Sequence, residues 1–104
     1  MTIRQRLNAE LDESIKMLRK NGNVAAEAER VYQVTKSQTI LRLKDEGYPV
    51  TLIKEMVKGD EQVAQKRLER DLARVLYDAN KEVINIRKLQ LRNTESQIER
   101  EWNG

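Results

Sequence analysis

The stretch Lys44-Asp45-Glu46-Gly47-Tyr48-Pro49-Val50-Thr51-Leu52-Ile53-Lys54-Glu55-Met56-Val57-Lys58-Gly59-Asp60 decides the fold. Gly47 suits the left-handed angle that ends a helix, and Pro49 has no N–H and biases Tyr48 away from helical angles. Thr51 is then placed to cap a short helix, Leu52 to Lys58, which carries Leu52, Ile53, Met56 and Val57 on a broad apolar face before Gly59 closes it. Asp60 starts the next helix, with Glu61 in the first turn, where the macrodipole favours negative charge.

Working back toward the N-terminus, Thr2 followed three residues later by Gln5 has the form of a capping box, so a helix should begin near residue 3. Leu7, Leu11, Ile15 and Leu18 mark one apolar face. Leu11, Leu18, Ala25, Tyr32 and Thr39 fall seven apart, and Leu7, Ser14, Asn21, Ala28 and Thr35 form a companion series. Asn21-Gly22-Asn23 is a local breaker, yet the heptad phase survives it. The expectation is one helix over 3–46; two helices with a kink are the alternative. Working forward, no Pro or Gly intervenes between Asp60 and Gly104. Val63, Leu68, Leu72, Val75, Leu76, Ala79, Val83, Ile86, Leu89, Leu91 and Ile98 keep helical periodicity there.

Two arms of similar length around a short connector predict an all-α, coiled-coil-like antiparallel hairpin with a short helix at its tip. It forms a single domain over 1–104, with arm 3–46, tip 47–59 and arm 60–101. Leu18 should face the region of Leu89, and Tyr32 that of Val75 or Leu76. Both arms show apolar faces wider than a two-per-heptad seam, which predicts self-association: a homodimer forming a four-helix bundle, or a higher even oligomer.

Composition narrows the function classes. Hydrophobic residues make up 38% of the 104, charged residues 36% and aromatics 4%, and there is no His, Cys or Phe. The missing residue types exclude zinc sites of the usual kind, cysteine nucleophiles, Ser-His triads and redox pairs. Acidic pairs such as Glu95 and Glu99 lack the His that di-iron bundles add, and no Gly-rich phosphate loop is present. The expectation is a protein that is not an enzyme and uses no cofactor and no metal. No apolar run approaches a membrane span, which points to a cytoplasmic protein without a membrane role. The net charge of +3 is a small surplus within 20 basic and 17 acidic side chains. Both signs mix along every arm, as on a solvated helical surface.

Two sets of residues are candidates for contact. The connector places Tyr48, Leu52, Ile53, Lys54 and Met56 at the tip as a partner-docking knob, with Trp102 near the other end as an anchor. The alternative is a short helix that plugs the end of the bundle with Leu52, Ile53 and Met56, and end-of-bundle packing for Trp102. Arg4, Arg6, Arg19, Lys20, Arg87, Lys88 and Arg92 form the second set, suited to phosphates, although acidic neighbours accompany each cluster and aromatic stacking platforms are missing.

The orders Gly47 to Lys54, Val57-Lys58-Gly59-Asp60, Glu82 to Arg92 and Gln97 to Trp102 resemble small helical proteins encoded by phages and prophages of Gram-positive bacteria, over nearly the whole chain. Such proteins are commonly encoded among early genes, near single-strand-binding and recombination functions, and carry no assigned activity. The resemblance implies a virion-free protein acting in the host cytoplasm, and it brings no catalytic or binding residues with it; the expected partner of the hairpin is a phage or host protein.

Overall fold

A computed structural model describes residues 1–103. They form three α-helices and no strand: α1 (Ile3–Asp45), α2 (Val50–Gly59) and α3 (Glu61–Asn103). The capping box is made as expected. The Thr2 N–H donates to Gln5 Oε1 at 2.9 Å and the Gln5 N–H to Thr2 Oγ1 at 3.1 Å. α1 passes through Asn21-Gly22-Asn23 without a break, which excludes the two-helix alternative.

At its C-terminus, Gly47 takes a φ of 89°. The Gly47 N–H donates to the Lys44 carbonyl at 3.0 Å and the Tyr48 N–H to the Leu43 carbonyl at 3.2 Å, the paired closure that satisfies orphan carbonyls at a helix end. α2 starts earlier than Thr51 suggests. Pro49, in an extended conformation, precedes its first turn without a side-chain cap, and the Pro49 carbonyl accepts from the Leu52 and Ile53 N–H groups at 3.0 Å. Thr51 therefore lies inside the helix, because proline's fixed φ already sets the entry angle. Asp60 caps α3, its Oδ2 accepting the Val63 N–H at 3.0 Å.

The chain divides into two compact units: a terminal unit, Met1–Gly22 with the chain from Leu76 on, and a tip unit, Asn23–Val75. In both, α1 and α3 run antiparallel, so each is a helical hairpin segment. In the tip unit Arg42 reaches Asp60 at 3.4 Å, while Arg70 and Arg74 reach Glu29 at 3.6 and 3.2 Å. Tyr32, Leu43, Ile53, Val57 and Val63 form its core, with Ile40 and Met56 packed against them.

In the terminal unit the pairs are Arg4 with Glu95 at 3.9 Å and Glu10 with Arg87 at 2.8 Å. Leu7 and Ile84 are buried, and so are Ser14, Asn21 and Asn80. Asn21 Nδ2 donates to Asn80 Oδ1 at 2.7 Å, and Asn80 Nδ2 donates to the Ser14 carbonyl at 3.0 Å. Gly22 lets the Tyr77 ring approach: a Cβ there would lie 3.2 Å from Tyr77 Cε2.

The expected facing of Tyr32 with Val75 or Leu76 is corrected. Tyr32 meets Arg67 and Arg70 instead, with the Arg70 guanidinium 4.3 Å from its ring centroid. Val75 and Leu76 are 65% and 54% exposed. The buried Leu43, Ile53, Val57 and Val63 fix the rotation of α3 at its start, and the heptad Val63, Arg70, Tyr77, Ile84 follows Val63 inward. Leu68, Leu72, Val75, Leu76, Val83, Ile86 and Leu89 are carried outward and left exposed.

Candidate functional site: a lysine-rimmed groove in the tip unit

The turn at Gly47 folds α2 back across α1 and the start of α3, and a groove of about 750 Å³ opens between them. Its floor is apolar: Ile40 from α1, Val50, Ile53 and Val57 from α2, and the buried Tyr32. Its rim is basic. Lys36 and Lys44 come from α1, Lys54 and Lys58 from α2, and Arg67 from α3, with Glu55 as the single carboxylate, 3.5 Å from Lys58. Lys36, Lys44 and Lys54 make no ion pair among the described residues.

The field of this rim registers on Tyr32. A hydrogen bond with Arg67 and the charges of Lys36, Arg67 and Arg70 hold its phenol below the usual tyrosine value, against the opposing effect of burial. A volume in the range of ligand pockets, an apolar floor and convergent charge suit an anionic and partly apolar guest, and nothing in the set is a nucleophile poised beside a base.

The expected tip residues separate into different environments. Lys54 stands on the rim. Ile53, expected as a contact, is 3% exposed and belongs to the core, so it supports the floor and leaves little surface for a partner. Met56 is half-buried against that core. Tyr48 and Leu52 are 40% and 45% exposed and lie outside the groove. Trp102 belongs to the terminal unit and is 88% exposed.

The other expected set, Arg4, Arg6, Arg19, Lys20, Arg87, Lys88 and Arg92, contains two residues held by carboxylates, Arg4 by Glu95 and Arg87 by Glu10. Arg6, Arg19, Lys20, Lys88 and Arg92 are exposed. The groove residues Lys36, Lys44, Lys58 and Arg67 do not stand out in sequence order, because acidic and basic residues alternate along the chain and the basic ones converge only by helix face. The signal was present: Lys36, Ile40 and Lys44 step by four, as do Val50, Lys54 and Lys58, so each trio lines one face of its helix.

Among the described residues no helix is long and apolar enough to cross a membrane. Comparison with protein-family models, with curated proteins and with solved structures finds no match to this chain.

Proposed function

We propose that this protein is a non-enzymatic helical module that works by protein–protein contact, pairing with a second copy of itself and presenting its tip unit to a different partner. The observation that carries this reading is the distribution of apolar side chains. Among the described residues, the buried hydrophobics are Leu7, Tyr32, Leu43, Ile53, Val57, Val63 and Ile84, whereas α3 alone exposes Leu68, Leu72, Val75, Leu76, Val83, Ile86 and Leu89. A two-fold pairing through α3, giving four packed helices, puts this apolar surface out of water and leaves the tip groove free.

The setting follows the resemblance carried by residues 47–60, 82–92 and 97–102: a phage protein in the host cytoplasm, either an adaptor for replication or recombination or a restraint on a host protein such as a defence factor. Nucleic-acid binding through Arg6, Arg19, Lys20, Lys88 and Arg92 is the second reading, favoured only by their exposure.

Sedimentation equilibrium tests the pairing. The wild-type chain should sediment as an even oligomer and the Leu76→Glu/Val83→Glu variant as a single chain; a wild type that stays a single chain up to millimolar concentration overturns it. Capture of the tagged chain from infected cells, with nuclease treatment, tests the contact. A defined protein that survives nuclease and is lost in the Val50→Asp/Leu52→Asp variant supports the reading. Recovery of only nuclease-sensitive material transfers it to nucleic acid.

A further inference from the structure

We propose that the tip groove is a receptor for an acidic partner segment carrying an apolar anchor, an inference that deepens the protein-contact reading and rests on it. Five basic side chains surround the groove against the single carboxylate Glu55. An extended acidic segment supplies the missing charge, and its anchor covers Val50 and the floor beside Ile40 and Ile53. Charge complementarity of this kind steers encounter and rejects neutral or basic segments, while the buried anchor sets the lifetime of the complex.

A nucleic-acid strand fits less well. Single-strand binders stack bases on exposed aromatic faces, but Tyr32, the one aromatic in the groove, is 7% exposed and has Arg70 over its ring at 4.3 Å. Phosphates would also leave the apolar floor wet.

The test is selection of random displayed peptides, about a dozen residues long, against the full-length chain, with the Lys36→Glu/Lys54→Glu and Lys36→Gln/Lys54→Gln variants as comparisons. Circular dichroism confirms that each variant keeps its helicity. The expected winners are net negative and carry a Leu, Ile, Phe or Trp. Their affinity should fall about tenfold or more on charge reversal, less on neutralisation, and should weaken as salt rises.

Winners that are apolar without a negative bias, and that bind the reversal variant equally well, overturn the acidic partner while leaving the protein-contact reading intact. An absence of winners overturns the receptor. Displacement of the winners by oligothymidylate, with tighter binding of that strand, assigns the groove to nucleic acid. Loss of self-association in the reversal variant, read by sedimentation, assigns it to a second copy; the expected result is unchanged self-association.

Discussion

Asn80 holds two partners across the terminal unit with one amide, accepting from Asn21 and donating to the Ser14 carbonyl. Replacing it with Ala leaves the Asn21 amide buried and unpaired, so Asn80→Ala should cost about 1–3 kcal/mol. The double variant Asn21→Leu/Asn80→Leu removes both polar groups together. It should melt near the wild-type temperature or above it, while relaxing the register that the pair specifies. Thermal melts of Asn21→Leu, Asn80→Leu and the double variant complete the cycle; a loss in the double equal to the sum of the two single losses would show that the amides do not act as a pair. None of this was legible locally, since Asn21 lies in the inward heptad series but reads as part of a breaker and its partner is 59 residues away.

At the same scale, Tyr32 carries a pH signature. Its phenol is held below the ordinary tyrosine value, first by the Arg67 hydrogen bond and then by Lys36, Arg67 and Arg70. A lowered folded pKa means that the ionised form is favoured in the folded state. The added stability is therefore complete only above the unfolded value of about 10, and it disappears as pH falls through the folded value. Absorbance titration at alkaline pH should show one tyrosine ionising early, and Tyr32→Phe should remove that step. An unchanged early step would place the perturbed phenol elsewhere.

Among the elements, α2 divides its apolar residues between two jobs. Ile53 and Val57 are 3% exposed and lock the hairpin end, whereas Leu52 is 45% exposed. Ile53→Ala should therefore destabilise by about 2–5 kcal/mol, and Leu52→Ala by about 0.5 kcal/mol or less. Denaturant midpoints separate the two, and similar losses would mean that the helix is not rotated as described. Gly47→Ala tests the turn. Space is open around it, but its φ is 89°, so the added Cβ strains the backbone by about 1 kcal/mol or more.

The αL stop at Gly47 and the cap at Asp60 were legible, because those residues act on their immediate neighbours; the start of α2 was not, since Pro49 sets it in place of Thr51. Nor was the phase of α3. Periodicity showed an apolar stripe, and the expectation that turned it toward α1 is the one the structure reverses; contacts of Val63 with residues far away in sequence set the phase, and they draw Arg70 and Asn80 inward while the stripe of Leu and Val turns out.

For the molecule as a whole, the consequence is an apolar core in the tip unit, a polar seam inside the terminal unit and an apolar stripe exposed along α3. A seam of Ser14, Asn21 and Asn80 contributes specificity more than stability, because each buried polar group offsets most of what its hydrogen bond returns. Stability should therefore depend on covering the stripe. If a second copy covers it, unfolding and dissociation are one equilibrium, and mass action raises the melting temperature with protein concentration. Melts between about 10 μM and about 1 mM should shift upward by several degrees, since 1 kcal/mol moves a domain of this size by roughly 4–8 °C. Leu76→Glu/Val83→Glu should melt lower and lose the concentration dependence, because carboxylates on the stripe repel across a two-fold contact and resist desolvation. A wild-type melting temperature that stays constant over that range, with the variant melting at the same point, would mean that the tip core and the polar seam sustain the chain without a partner and that the stripe is not a self-pairing surface.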